Sequence, residues 1–267
     1  MIIKVFRGVL IIGVVITACQ PISATERVKQ RMSATSTPRS PAPSTPSSSS
    51  SPSPSSASSS TAGPPAPVDC AKSKCLALTF DDGPGPYTTR LLAILKRHSV
   101  RATFFVVGRN AAANPAVVRQ MAAEHHEIGN HTYDHANLTK LPITGIQREI
   151  GLTQQAVHQA AGRRPTIMRP PYGATNARVN LVVGLPVIMW RGDTLDWLHN
   201  NSGHVQRGVL KLAKRNAVIL VHDTKQTTVA AMPATLNGLI SRGYTMVTVS
   251  ELYRGERLLP GHLYGWG

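Results

Sequence analysis

Thr79-Phe80-Asp81-Asp82-Gly83-Pro84 closes the apolar run from Cys75 to Phe80 and sets two carboxylates side by side before a Gly-Pro break. In a continuing strand, neighbouring side chains point to opposite faces. A break directly after the pair lifts that constraint. Both carboxylates can then turn toward one pocket at the strand's end, one to hold a cation and one to move a proton. Taken alone, the same residues also read as an N-capping Asp followed by a Gly-Pro turn. The residues at the ends of the other strands decide between the two.

From Cys70 onward, short β-rich runs alternate with amphipathic stretches. The pattern predicts strands over residues 75–80, 102–107, 127–130, 166–168, 186–190, 217–221 and 244–249, with helices over 88–96, 114–124, 143–161, 177–183, 204–214 and 229–241. Seven strands joined by helices imply an α/β fold with a parallel sheet and right-handed crossovers. The sheet is either open and doubly wound or closed into a barrel, and both place function at the carboxyl ends of strands. No Gly-x-Gly-x-x-Gly fingerprint follows any strand, which speaks against a dinucleotide. Unusual polar residues follow strands one, three, four, five and six. Chemistry drawn from so many strand ends converges most easily in a barrel.

Composition sets the surroundings. Among 267 residues, 29 Lys and Arg stand against 13 Asp and Glu, a net charge of +16 that attracts polyanions. Aromatics are few and no basic stretch is interleaved with them, so nucleic acid is not an expected partner. Phosphate-rich wall polymers or an anionic membrane suit the charge as well. At the start, Lys4 and Arg7 precede an apolar segment, residues 8–18, too short to span a bilayer, which reads as an export signal. Ile16-Thr17-Ala18-Cys19 resembles a bacterial lipobox, in which Cys19 is lipidated and becomes the mature N-terminus; ordinary cleavage near Ser23-Ala24 is the competing reading. Residues 33–67 are nearly all Ser, Pro, Thr and Ala and cannot bury enough surface to fold, so they read as a tether. The expected organisation is a signal over 1–19, a disordered Ser/Pro-rich linker over 20–69, one folded domain over 70–255 and a tail over 256–267. In an oxidising compartment Cys70 and Cys75 can form a disulfide, worth about 2 kcal/mol for so short a loop. A two-cysteine metal site is the alternative, and no second pair exists to complete it.

The strand ends carry the candidates. After the third strand, His131 and His135 lie four residues apart and share one face if a helix begins there. Adding Asp82 gives two imidazoles and one carboxylate with positions left open for water, the set a catalytic zinc requires. Asp134 reads as a helix-start residue or one behind the ligands. His98, His125, His126 and His158 fall on helical or surface stretches and are taken as solvated. After the fourth strand, Arg169-Pro170-Pro171-Tyr172-Gly173 forms a stiff loop able to present the Tyr172 N–H at a fixed point, as an oxyanion site needs. After the fifth and sixth come Asp193-Thr194-Leu195-Asp196-Trp197 and Leu220-Val221-His222-Asp223. An acid and a histidine at neighbouring strand ends can pair and raise the histidine pKa, making it a general acid. Trp197 and Leu220 can wall an apolar slot, or belong to the core.

In this order the pieces resemble the polysaccharide deacetylase family, the NodB-homology domain of carbohydrate esterase family 4: Thr79 to Pro84, His131 to His135, Arg169 to Gly173, Asp193 to Trp197, and Leu220 to His222. The resemblance covers about residues 75–252. It implies a distorted (β/α)7 barrel and a Zn2+ or another divalent ion such as Co2+. It implies Asp82, His131 and His135 as metal ligands, Asp81 as general base oriented by Arg169, His222 as general acid paired with Asp193, and Tyr172 as oxyanion donor. Arg191-Gly192 before Asp193, and Pro186 in the fifth strand, depart from the pattern and bear on the groove's shape. With the export signal, the expectation is a monomeric enzyme at the cell envelope, lipid-anchored or secreted, that removes N-acetyl groups from peptidoglycan. Chitooligosaccharide deacetylation, acetylxylan ester cleavage and a non-catalytic carbohydrate-binding lipoprotein are the rival expectations.

Overall fold

The computed structural model describes residues 66 and 68–265. The expected export signal, Cys19 and nearly all of the linker lie outside the described residues, as does the end of the tail.

Strands and helices alternate as β1 (Lys74–Asp81), α1 (Thr88–Arg97), β2 (Thr103–Val106), α2 (Gly108–Ala113), α3 (Pro115–Ala123), β3 (Glu127–Asn130), α4 (Ile143–Ala161), α5 (Ala177–Val183), β4 (Val187–Ile188), β5 (Gly192–Asp193), α6 (Ser202–Leu212), β6 (Ala217–His222), α7 (Gln226–Ser241), β7 (Tyr244–Val247), α8 (Val249–Leu252) and β8 (Leu263–Tyr264). All recorded strand pairs are parallel, and one sheet runs β3-β2-β1-β6-β5 with β7 added to β1. β1 pairs with β6 along Leu76–Asp81, with β2 along Thr79–Asp81 and with β7 along Lys74–Ala77. A strand covered on both faces and both edges needs an unbroken apolar run, and the residues from Cys75 to Asp81 are buried without exception.

The pleat of β1 sorts its side chains between two cores. Leu76, Leu78 and Phe80 pack against Leu91, Leu92 and Leu95 of α1 in the largest cluster. Ala77 points the other way, to Phe105, Ile167, Ile188, Val218 and Val249. By the same parity Thr79 and Asp81 belong to that inner face, which is how an acid at the end of a hydrophobic strand comes to lie inside the molecule.

The expected fourth and fifth strands are reduced. Only Met168 of residues 166–168 bridges, to Asn130 on one side and Val187 on the other. The expected strand 186–190 is cut to β4, with β5 following and joining β6. At the fifth, the Arg169 guanidinium donates from Nε and Nη2 to Ile188 O and Met189 O at 3.0 Å and occupies acceptors that a neighbouring strand would use. β4 instead pairs with β8, from the tail, so part of residues 256–265 belongs to the fold. α2, α8, β5 and β8 are elements the sequence pattern did not predict. Cys70 and Cys75 form the expected disulfide, which ties the segment ahead of β1 to the second residue of that strand.

Candidate active site

At the end of β1, Asp81 is buried and its Oδ1 accepts from Arg169 Nη1 at 2.8 Å. Arg169 is wholly buried, yet each of its three side-chain nitrogens has an acceptor: Nη1 also reaches Thr79 Oγ1 at 2.7 Å, and the guanidinium lies 4.2 Å from the centre of the Phe105 ring. Thr79 in turn donates to Ile219 O at 2.8 Å. A buried ion pair is tolerated only when the remaining donors and lone pairs are satisfied, and this one is held from three strands.

One residue further on, the backbone of Asp82 takes φ 74°, the left-handed region. That turn brings the second carboxylate to the same pocket instead of the opposite face. Its Oδ1 lies 3.4 Å from His131 Nε2 and 3.1 Å from His135 Nε2. Although buried, this oxygen has no hydrogen-bond partner. Ligand atoms of Asp82, His131 and His135 all fall within 4.8 Å of one another. An unsatisfied carboxylate oxygen facing two imidazole nitrogens fits a divalent cation. Burial alone would raise the Asp82 pKa, but the two imidazoles outweigh it and hold the carboxyl below its ordinary range.

No helix joins the two histidines. Residues 131–137 form an open loop: the Thr132 and Tyr133 carbonyls that a helix would use accept from Gly108 N and Arg109 N at 2.8 and 3.1 Å, and Ala136 N donates to Thr132 Oγ1 at 3.2 Å. Glu149 Oε2, from α4, accepts from Tyr133 N and Asp134 N at 2.9 and 2.8 Å, and Asn130 Oδ1 accepts from Thr132 N at 2.9 Å. Asp134 itself turns outward toward Arg109, 3.9 Å away. Glu149 and Asn130 were not singled out in the sequence. A signal existed for Glu149: an acid on the helix face that also carries Ile146, Ile150 and Thr153 is out of place in a core.

Across the cavity, His222 is held by Asp196 and not by Asp193. Asp196 is buried; its Oδ1 lies 2.8 Å from His222 Nδ1, and its Oδ2 accepts from His222 N at 2.8 Å and Thr228 Oγ1 at 2.5 Å. Asp193 pairs in register with Leu220, two residues short of His222. Leu195 then turns the chain at φ 55°, which delivers Asp196 beneath the imidazole. Asp193 instead accepts from Leu195 N at 2.8 Å, with Trp197 Nε1 at 3.5 Å, and remains on the cavity wall. Burial lowers the His222 pKa, but the hydrogen bond and charge of Asp196, helped by Asp81 and Asp82, raise it to about 9.

Tyr172 occupies the short turn Pro171–Gly173 with φ 63°. Gly173 is required there: its own φ is 63°, and a Cβ would stand 2.8 Å from Trp190 Cη2. The cavity, about 390 Å³, is lined by Asp81, Asp82, His131, His135, Tyr172 and His222 on its polar side and by Trp190, Trp197 and Leu220 on its apolar side. Among the described residues, eight non-glycine residues have positive φ, and five of them ring this cavity or its loops: Asp82, Thr132, His135, Tyr172 and Leu195. Such strain gathers where function over-determines the backbone. Among the histidines taken as solvated, His126 is buried: its Nδ1 accepts from Ala102 N at 3.2 Å, and burial is the main force lowering its pKa to about 4.

Residues 69–185 match the family model described as polysaccharide deacetylase. The chain is similar to the peptidoglycan-N-acetylglucosamine deacetylase PgdA of Listeria monocytogenes, 46% identical over 193 residues, which are 72% of this chain and 41% of that protein. It therefore spans about two fifths of that relative's length. A solved structure described as T48 deacetylase with substrate superposes with a TM-score of 0.73 at 45% identity, covering 74% of this chain and 99% of the other. A family 4 acetyl xylan esterase from Clostridium thermocellum, in complex with a cobalt ion, superposes with a TM-score of 0.69 at 30% identity, covering 72% and 98%.

Proposed function

The chain belongs to the polysaccharide deacetylase family, the NodB-homology domain of carbohydrate esterase family 4, and on that premise we propose that it is a metal-dependent hydrolase removing N-acetyl groups from N-acetylglucosamine units of peptidoglycan. The observation that carries this reading is a single cavity with three parts. An Asp82-His131-His135 triad whose buried Asp82 Oδ1 has no hydrogen-bond partner shares the cavity with a buried carboxylate on Arg169 and an imidazole on Asp196. The PgdA relative supports the choice of substrate.

Asp82, His131 and His135 hold the cation, Zn2+ or Co2+; when bound, it polarises the acyl carbonyl and acidifies water. Asp81, fixed by Arg169, accepts the proton of the water whose oxygen adds to the acetyl carbon. The Tyr172 N–H donates to the oxyanion that develops on the acyl oxygen. His222, kept protonated by Asp196, gives its proton to the nitrogen as the C–N bond breaks. The products are acetate and a free amine, and an amine leaving group is the reason a separate acid is needed. Trp197 and Leu220 form the slot for the acetyl methyl and sugar face.

We extend the reading to the whole chain: an exported protein of the cell envelope, monomeric, lipid-anchored at Cys19 and tethered by residues 20–69. The distorted seven-stranded barrel stays our reading of the fold. The Met168 bridges to Asn130 and Val187, with Arg191 N donating to Val218 O at 3.0 Å, support it.

The test is acetate release measured side by side on peptidoglycan, chitin oligomers and acetylated xylan. Metal-loaded protein should release acetate from peptidoglycan and leave free amines, and a chelator or Asp81→Asn should stop it. Release from chitin oligomers or xylan alone would reassign the substrate. No release from any of them with Zn2+ or Co2+ would leave a carbohydrate-binding protein.

A further inference from the structure

Both histidines turn Nε2 toward Asp82, so each needs its Nδ1 proton anchored if Nε2 is to keep a free lone pair. His131 is anchored from within: its Nδ1 lies 2.7 Å from Arg169 O, and the residue is 2% exposed. His135 has no buried acceptor. Among the described residues, the Nδ1 partner recorded for it is the hydroxyl of Tyr172, at 3.2 Å, with the two rings edge to face and their centres 4.7 Å apart.

We propose that the Tyr172 side chain is a positioning residue for the metal site: its phenol oxygen accepts the Nδ1–H of His135 and fixes the tautomer and ring plane of the ligand that the fold leaves exposed. This role is distinct from the one given to the Tyr172 backbone amide, and it rests on the metal-site reading but not on the identity of the substrate. The aim of the phenol is set by its base. Pro170 and Pro171 stiffen the approach, and Gly173 sits against Trp190 so closely that the turn cannot shift toward it. Tyr172 is nevertheless 70% exposed and lines the cavity, as Trp197 does. Water competes for this bond when the cavity is open, whereas a sugar lying against the ring excludes that water and strengthens it. A filled cavity thus tightens the hold on His135, and one side chain couples substrate occupancy to the metal.

Tyr172→Phe keeps the ring and its edge contact and removes only the oxygen. Full-chain protein and the variant are titrated with Zn2+ against a chromophoric chelator, without substrate. The expected result is a dissociation constant weakened about tenfold or more, with the melting temperature of the metal-free protein unchanged. Trp197→Phe, altering the other wall without touching His135, should bind Zn2+ as the parent does. Unchanged affinity in Tyr172→Phe overturns the proposal, as does an equal loss in Trp197→Phe. Because only the metal is measured, failure of the deacetylase reading would show in acetate release and leave this result standing.

Discussion

The two sides of the cavity are built on opposite principles. On the proton-handling side, Asp81 and His222 each have a buried partner, Arg169 and Asp196, and those partners are themselves hydrogen-bonded from several strands and α7. Charge there is balanced by the protein alone. On the other side, Asp82 Oδ1 is buried without a hydrogen bond, two imidazole nitrogens face it, and the backbone at Asp82, Thr132 and His135 lies in the left-handed region. Buried polar groups are almost always satisfied. An unsatisfied cluster held on a strained backbone has the form a cation requires, whereas the base and acid are preorganised before anything binds. The difference teaches where each side should fail: the first through its internal partners, the second through its ligand.

The largest effect should come from removing a partner on the balanced side. Arg169→Met keeps the stem's volume but leaves Asp81 as a buried unpaired carboxylate and strips donors from Ile188 O and Met189 O. The expected loss is about 3–5 kcal/mol of stability, read by denaturant unfolding. The backbone carbonyl that holds His131 is untouched, so variant that remains folded should still bind Zn2+. A loss under about 1 kcal/mol would mean that the pair organises nothing.

Next comes Asp196→Asn, which removes the charge that raises His222. With its pKa at about 9, His222 is protonated and competent as an acid at pH 8. Without the carboxylate, the alkaline limb of the pH–rate profile should move acidward by more than one unit, and turnover at pH 8 should fall by about 100-fold. Stability gives an independent reading. A folded pKa above the ordinary 6.5 contributes stability that is complete below pH 6.5 and is lost as pH rises through about 9. The variant should lack that decline. Asp193→Asn should leave the limb in place; if it moves the limb and Asp196→Asn does not, the pairing is reversed.

Much of this contrast was legible in the sequence, and what escaped it did so for definable reasons. The Gly-Pro break after Asp81-Asp82 marked the strand end, and the apolar period gave α4 and α5 their observed bounds. Within Asp193-Thr194-Leu195-Asp196-Trp197, however, two carboxylates compete for one histidine. The choice depends on the left-handed turn at Leu195 and on the β5–β6 register, which no side-chain pattern encodes. The spacing of His131 and His135 suggested a helix because the donors that take its carbonyls, Gly108 N and Arg109 N, come from a different element, α2. Likewise, the fifth strand shrinks where a side chain, Arg169, takes backbone acceptors. His126 looked solvated because its burial depends on packing with Phe104 across β2. Local signals predicted elements; long-range hydrogen bonds decided which polar residue did which task.

Asp223 breaks the division. It follows His222 on the balanced side, yet it is incomplete: Oδ2 accepts from Thr88 Oγ1 at 2.5 Å while the buried Oδ1 has no partner. It packs beneath the Asp82-Gly83 turn so tightly that a Cβ on Gly83 would stand 2.2 Å from Oδ2. Burial pushes its pKa up to about 7, with Asp82 and Asp81 adding to the rise and Thr88 and His222 opposing it. A folded pKa above the ordinary 3.8 makes the carboxyl's contribution complete below about pH 4 and progressively lost as pH rises through 7. Asp223→Asn keeps the shape without the charge, so its stability should stay flat over that window. At pH 8 it should exceed the parent, and at pH 4 it should not. If parent and variant instead run parallel from pH 4 to 8, Asp223 is satisfied in solution and Asp82 is left as the unbalanced carboxylate of the cavity.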